Sequence, residues 1–414
     1  MKVLVLGGGV VGVATTYYLA EAGYEVTLID RNAQAASETS QGNAGLYTPG
    51  DSYAWASPEA LTMAVKSLYR RDLGIKYKLR LDPRLWAWSW KFLLQCTRAR
   101  AHRNSLLKLR IAFYSKQCLN ALVEATGIDY DGTQGGVIYF SRSPQALASI
   151  AGHMKILQDN GLTIEVLDRD ALVRIDPGLK ACADKIAGGI YSPQDQTGDS
   201  CKFARRLAAW CSENRGVQFA WETKILSLET NGTRVSKVIT DQGDFDVDAV
   251  VLAAGADSPL LSERIGVKLP IYPVKGYSVT VPIRNGDAAP RIGLVDEDNL
   301  VAMSRMGDRL RMASTAEFTG YDRSHKPKDF ESIFRTAKEL FPDGGDYSQP
   351  EYWAGLRPMT PSSVPILGRA RYDNFYLNVG HGHVGWTMSC GTGKFVADLV
   401  AGREPEIDSE GLLF

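Results

Sequence analysis

The chain has 414 residues, with 47 Lys or Arg against 47 Asp or Glu, and 44% of its residues are hydrophobic. That length suits two domains, or one large one, with a real core. The balanced charge excludes a global pull toward nucleic acid or membrane, and no apolar run approaches the ~18 residues of a membrane-spanning helix. Six cysteines are scattered without a C-x-x-C pair, which speaks against metal or dithiol-redox centres and for buried free thiols in a reducing cytoplasm.

The first thirty residues organise the rest. Residues 2–6 read as a short buried strand, and Gly7, Gly9 and Gly12 follow in G-x-G-x-x-G spacing. Residues 10–22 read as a helix with Gly23 past its end, and residues 25–29 as a second strand closed by Asp30. This is the pattern of a dinucleotide-binding unit. Gly7 permits the tight turn, Gly9 lets a pyrophosphate approach the backbone, and Gly12 lets the helix sit close on the sheet. The helix N-terminus offers N–H groups and partial positive charge to phosphates. Asp30 lies 18 residues beyond Gly12, near the spacing of roughly 20 expected for an acid that hydrogen-bonds ribose hydroxyls.

The loop 37–45 (SETSQGNAG) is small and polar. It can donate backbone N–H groups to a ligand, and as an isolated string it is equally a surface loop. Residues 66–110 carry 13 Lys or Arg against two acids and include LWAWSWKFLL with three tryptophans. Bases with aromatics suit an anionic bilayer interface; helices with a tryptophan-lined core face and a solvated basic face fit the same residues. Residues 104–126 read as an amphipathic helix on the spacing of Leu107, Ile111, Tyr114, Cys118 and Leu122. Strands are expected at 135–141, 163–167, 217–221 and 248–255, and helices at 145–160 and 202–213, the latter capped by the turn 195–199. Residues 271–283, 300–305 and 309–314 alternate as strands, with Gly307-Asp308 as a hairpin turn.

The predicted fold is α/β (α+β): a Rossmann-like domain from 1–80, 195–260 and 345–414, with a discontinuous second domain on an antiparallel β-sheet from 81–194 and 261–344. In the tail, prolines flank Arg357 among apolar residues, residues 375–379 form a strand, and the glycine-rich turn GHGHVGWT leads into a helix near Met388. Its N–H groups suit stabilisation of negative charge. His381 and His383 have no Cys, Asp or Glu close by to complete a ligand set, so no metal site is expected.

These motifs together resemble the glycine oxidase and D-amino acid oxidase group of flavoproteins, and within it the small subunit of bacterial D-amino acid dehydrogenases. The likeness runs over nearly the whole chain: Gly7 to Gly12, Glu38-Thr-Ser, Asn43-Ala-Gly45, Thr197-Gly-Asp199, Tyr272 to Ser278, Gly355 to Pro361 and Gly385-Trp-Thr-Met388. The resemblance implies FAD held by Gly7, Gly9, Val10, Val11, Gly12, Asp30, Arg31, Ser40, Asn43, Ala44, Gly45, Gly255, Gly380, His381, Gly382, Gly385, Trp386 and Thr387. It implies that Arg357 holds the substrate carboxylate in a planar two-bond fork, with Tyr277 as a pocket residue. Ser362-Ser363 departs from the Asp-Gly of the family, Val301 replaces a substrate-contacting tyrosine of glycine oxidase, and His383 replaces its second arginine, so the side-chain pocket does not carry over. Gly355 stands where related sarcosine oxidases link the flavin through cysteine, which implies non-covalent FAD.

The reaction implied is oxidation of a D-amino acid such as D-alanine to an imino acid, hydrolysed to a 2-oxo acid and ammonia, with Cα–H aimed at flavin N5. Electrons would go to a quinone or another acceptor, and the protein would be cytoplasmic or peripheral on the inner face of the bacterial membrane. An oxygen-using amino acid oxidase, a non-catalytic flavoprotein subunit and a nicotinamide-dependent dehydrogenase are the alternatives; the loop 40–45 and the turn 380–387 speak against the last. No nucleic-acid partner is expected.

Overall fold

The computed structural model describes residues 1–69, 74–77 and 80–414, with the side chains of 64–69 left out. The remaining part of the basic stretch 66–110, at 70–73 and 78–79, therefore lies outside the described residues.

Strand Lys2–Leu6 is buried from Val3 onward, as a strand covered on both faces must be. It pairs in parallel with Glu25–Ile29 on one side and Ala249–Leu252 on the other. The six-stranded sheet runs Ile366–Arg369, Phe375–Val379, Ala249–Leu252, Lys2–Leu6, Glu25–Ile29, Gln218–Ala220, parallel except for its first strand. Helices Val10–Glu21, Ser200–Arg215, Gly385–Val400 and Arg98–Thr126 share one apolar cluster on one face of it. A three-stranded meander, Ile225–Asn231, Arg234–Thr240 and Gly243–Asp246, packs Leu228, Val235 and Val238 against Leu4, Leu6 and Leu252 on the other.

The strands predicted at 271–283, 300–305 and 309–314 form the middle of a second, nine-stranded sheet. Its path is Glu351–Met359, Tyr272–Pro282, Arg309–Phe318, Val301–Met306, Gly293–Asp296, Val137–Ser141, Gly188–Ser192, Glu165–Leu167, with Ile75–Tyr77 paired to Arg309–Phe318. It is antiparallel as expected, apart from parallel pairings of Gly293–Asp296 with Val137–Ser141 and of Ile75–Tyr77 with Arg309–Phe318.

Most element boundaries match the sequence reading, and the differences have local causes. The long helix begins at Arg98, because Thr97 caps it by accepting from Arg100 N at 3.3 Å, ahead of the first apolar repeat. The last long helix begins at Gly385 rather than near Met388. Asp199 caps Ser200–Arg215 as expected, accepting from Cys201 N at 2.9 Å and Lys202 N at 3.0 Å. All six cysteines are buried and free.

The pairings cut across the expected domain bounds. Ile75–Tyr77 and Glu351–Met359 belong to the large sheet, and Arg98–Thr126 contributes Leu107, Ile111 and Tyr114 to the core over the parallel sheet. We propose a division that follows these contacts, with those three segments exchanged between the two parts.

One close approach fixes the nucleotide-binding turn. A Cβ on Gly12 would lie 1.8 Å from the Gly7 carbonyl oxygen, and Gly7 itself has φ +117. Gly12→Ala must push the helix off the strand, so we expect it to destabilise the protein by about 1–3 kcal/mol, read as a lower urea midpoint with an unchanged m-value.

Candidate active site

A cavity of about 1250 Å³ lies between the two sheets and takes lining from both. At one end it meets the N-termini of two helices. Val10–Glu21 begins at Gly9 and Gly385–Val400 at Val384, and neither has a capping side chain. Among the others, Asp82, Thr97, Ser143, Asp168 and Asp199 cap their helices through side-chain oxygens, while Ser258–Ser262 and Glu331–Leu340 have no side-chain cap. The two helices that face the cavity thus leave N–H groups and partial positive charge directed into it. Ser40 Oγ takes the Val10 N–H at 3.0 Å and draws the loop 40–45 over the turn. Arg311 holds that loop from the large sheet through the carbonyls of Gln41 (2.7 Å) and Asn43 (3.1 Å). Asp30 closes the second strand, accepting from Gly8 N at 2.6 Å and Asn32 N at 2.8 Å.

At the other end stands Arg357, on the edge strand Glu351–Met359. A Cβ on Gly276 of the neighbouring strand would come within 2.4 Å of the guanidinium carbon, so glycine there makes the space the arginine fills. Nη1 donates to the Thr315 carbonyl at 2.5 Å. Thr315 has φ +70, beside a register shift between its strand and Tyr272–Pro282. A non-glycine residue in that region carries backbone strain, which gathers where geometry serves a ligand. Burial lowers the Arg357 pKa to about 10, with Asp51 opposing; the group stays charged at neutral pH.

Around Arg357 the fold assembles ionisable groups, of which the sequence reading singled out His383 but not Asp51 or Lys108. Asp51 lines the cavity and its side chain is 47% exposed, to the enclosed space rather than to bulk water. Burial works to raise its pKa, but His383, Lys108 and Arg357 together bring it below the usual carboxylate range. Lys108 donates to the carbonyls of Asp51 (3.3 Å) and Tyr53 (3.0 Å), and burial lowers its pKa to about 8. His383 lies 3.4 Å from Asp51 Oδ2 outside hydrogen-bond geometry, stacks on Trp55 with ring centroids 4.6 Å apart, and is pushed toward the neutral form by burial. Behind them Asp195 accepts from Gly50 N (3.0 Å) and Tyr139 Oη (2.8 Å). Burial, with a smaller push from Asp51, raises its pKa to about 7 against those two bonds.

A family whose members are described as FAD dependent oxidoreductases matches residues 2–399. Among curated relatives, the chain is 55% identical to D-amino acid dehydrogenase 2 of Mesorhizobium japonicum over 414 residues, covering 100% of both chains. It is 45% identical to the D-amino acid dehydrogenase of Paramagnetospirillum magneticum, covering 100% of this chain and 98% of that one. Among solved structures, glycine oxidase from Geobacillus kaustophilus aligns with a TM-score of 0.75 at 22% identity, over 100% of this chain and 98% of that one. L-proline dehydrogenase from P. horikoshii aligns with a TM-score of 0.71 at 17% identity, over 100% and 99%; these two likenesses speak to fold alone. The chain belongs to the FAD dependent oxidoreductase family.

The cavity of this FAD dependent oxidoreductase fits its cofactor. Two uncapped helix ends suit a pyrophosphate and an electron-rich ring, and Asp30 at the first strand pair suits a ribose. Of the residues expected to hold FAD, Gly7, Gly9, Val10, Val11, Asp30, Arg31, Ser40, Asn43, Ala44, Gly255, His381, Gly382, Gly385, Trp386 and Thr387 line the cavity. Gly12, Gly45 and Gly380 do not: Gly12 abuts Gly7, a Cβ on Gly45 would meet Met306 at 2.3 Å, and one on Gly380 would meet Thr360 at 2.6 Å. The Trp386 ring is embedded against Tyr47 and Phe203. His381 turns toward Thr392 Oγ1 at 3.0 Å, with its pKa lowered to about 3 by burial. No cysteine is among the described residues that line the cavity.

Arg357 and Tyr277 both reach the wall. The Tyr277 hydroxyl donates to Glu317, and its ring packs edge-on against Phe330 in the second core. Burial first, then Glu317, raises its pKa. Tyr277 is therefore a wall residue whose hydroxyl is already engaged.

Lys108 did leave a signal. Lys108 falls in a second helical stripe with the small residues Ser105, Ala112 and Ser115, beside the apolar one, and all four are buried. The local sequence around Asp51 and Glu297 carries no such periodic signal.

Asp195 supplies a pH test. An acid whose folded pKa lies above its unfolded value of about 4 costs stability as pH rises through that interval. Asp195→Asn lacks this loss, so its stability relative to the native protein should rise from about pH 4 to about pH 7 in urea denaturation and level off above. A difference that stays flat with pH would mean that Asp195 remains ionised.

Proposed function

We propose that this FAD dependent oxidoreductase deaminates D-amino acids to 2-oxo acids and ammonia, as a dehydrogenase that hands electrons to a quinone or similar acceptor. The observation that carries the reading is Arg357 inside the same cavity as the nucleotide-binding helix ends, in a chain 55% identical along its whole length to a D-amino acid dehydrogenase. FAD, when bound, supplies the two-electron acceptor for the Cα–H bond.

The chain's own residues supply binding and orientation. Arg357 has five N–H donors, one of them spent on Thr315 O, and presents the rest to a carboxylate. Asp51, ionised and open to the cavity, attracts the α-ammonium beside it. Two opposite charges set on a rigid strand and a lysine-anchored turn fix the amino acid at two points and leave its side chain to select the third. That three-point arrangement is what discriminates one α-carbon configuration from the other.

The rim of the cavity bears on the acceptor. Helix Pro83–Gln95 buries Leu85 and Trp88 and exposes Trp86 (49%), Trp90 (64%), Leu93 and Leu94. Trp86, Trp90 and Leu93 also line the cavity. An exposed aromatic rim beside Arg84 and Lys91 suits a membrane surface and an apolar quinone delivered from it. Among the described residues no helix is long and apolar enough to cross a membrane, so contact would be peripheral, at the inner face of the cell membrane. Assignment as the small subunit of a two-chain enzyme rests on resemblance, and co-purification of a second chain tests it.

Under anaerobic conditions D-alanine or another D-amino acid should bleach the bound flavin, while L-isomers leave it yellow. Arg357→Met should weaken substrate binding by about 2 kcal/mol or more, because it strands a buried carboxylate, seen as a raised KM. In air, a soluble quinone analogue should be reduced far faster than peroxide forms; abundant peroxide would place the protein among oxidases.

A further inference from the structure

The turn after strand Gly293–Asp296 carries three consecutive acids, Asp296, Glu297 and Asp298. Two are committed to the protein. Asp296 takes Arg142 Nη2 at 2.8 Å and Asn299 Nδ2 at 2.8 Å. Asp298 takes Ser141 Oγ at 2.8 Å and Arg142 N at 2.7 Å. Glu297, between them, faces the other way and lines the cavity. Among the described residues its carboxylate has no hydrogen-bond or ion-pair partner, although the residue is half-buried in the wall. A carboxylate drawn out of bulk water without a partner is costly unless a ligand completes it.

Its position gives the ligand's polarity. Arg357 bonds the Thr315 carbonyl on Arg309–Phe318, and Val301–Met306 is the strand between that one and Gly293–Asp296, which Glu297 follows. Glu297 N donates to Phe140 O at 3.2 Å, beside Tyr139, whose hydroxyl donates to Asp195 at 2.8 Å, and Asp195 takes Gly50 N, next to Asp51, at 3.0 Å. One cation, Arg357, and two anions, Asp51 and Glu297, thus line the same cavity. A zwitterionic amino acid uses the first two, carboxylate on Arg357 and ammonium on Asp51. The third charge is left for a group at the far end of the side chain.

We infer that Glu297 is a specificity-determining residue that selects D-amino acids with a cationic side chain, an amine or a guanidinium, over neutral side chains of equal length. This rests on the D-amino acid reading above. Groups that face Glu297 are Asp51 from the turn Pro49–Asp51, Tyr139 from Val137–Ser141, and its own neighbours Asp296 and Asp298; Lys108 and His383 act through Asp51. Burial first, then Asp51, Asp296 and Asp298, raises the Glu297 pKa to about 8. The empty site is then mostly protonated at neutral pH, and ionises as pH rises toward about 9. The preference for a cation should grow over that interval, in which a lysine side chain keeps its charge.

The experiment compares charged and neutral isosteres on the FAD-loaded protein. D-lysine should have a kcat/KM at least tenfold above D-norleucine, and the ratio should rise from about pH 7 to about pH 9. Glu297→Gln should collapse the ratio at least tenfold, and Glu297→Asp should retain part of it. Binding is measured separately by calorimetry with 6-aminohexanoate and hexanoate, which lack an α-amine and are not oxidised. The first should bind at least tenfold tighter to the native protein, a comparison that stands even if the Gln variant fails to fold. Equal or reversed preference in the native protein, or an unchanged ratio in Glu297→Gln, overturns the inference. If D-norleucine reduces the flavin without a D-lysine advantage, the inference alone fails; if no D-amino acid reduces it, the proposed function fails with it.

Discussion

Two helices point uncapped N-termini into one enclosed space, and the rest of the molecule is arranged around that unfinished hydrogen bonding. The first N–H groups of a helix have no intrahelical partner, and an unsatisfied one withdrawn from water costs on the order of 1–3 kcal/mol. Five other helices meet this with a Ser, Thr or Asp cap, whereas Gly9 and Val384 offer no capping side chain and only Ser40 Oγ reaches in, to Val10 N. A ligand rich in oxygen and negative charge suits the two ends. The parallel sheet sets the first helix, and the return strand Phe375–Val379 sets the second close to it. The loop 40–45 then lies over the gap, held by Ser40 below and Arg311 above.

The far end of the cavity poses the opposite problem, buried cations that need partners. Arg357 is fitted between the missing side chain of Gly276 and the strained carbonyl of Thr315. Lys108 spends its donors on the carbonyls of Asp51 and Tyr53, and so fixes the turn that carries the Asp51 carboxylate. Asp51 in turn offsets both cations and leaves its oxygens open to the cavity. Each group is tolerable because of the next, which makes the cluster rigid. Rigidity is what a two-electron transfer needs from a protein that contributes mostly orientation.

What could be read beforehand follows from the range of the interactions. The opening strand, turn, helix and strand are local, so glycine spacing and apolar period carried them to within a residue or two. Arg357 stood out because a lone cation between prolines in an apolar string needs a reason. Asp51, Lys108 and Glu297 come from three distant segments, and each looks ordinary alone: two acids in polar turns and a lysine on a helix. Pairing decided their role, and pairing is not written in local pattern. The same limit explains why the expected domain bounds separate Ile75–Tyr77 and Glu351–Met359 from the strands with which they pair. Tyr277 was readable as a wall residue, but its hydrogen bond to Glu317 depends on a register shift that no periodicity records.

The contrast between rim and interior bears on how two unlike reactants share one cavity. A zwitterion that crosses the rim passes Trp86, Trp90 and Leu93, where its charges find little compensation. In the proposed reaction Arg357 and Asp51 inside would restore both, each set on a rigid element. An apolar electron acceptor would meet the reverse, favoured at the rim and disfavoured by the charged interior. The two need not compete for the same surface, and the aromatic face that is unfavourable in water is suited to a bilayer in which such an acceptor dissolves. On the proposed reading, polarity inside and apolarity at the mouth would divide one cavity between an amine-oxidising end and an electron-discharging end, with the nucleotide-binding helix ends serving both.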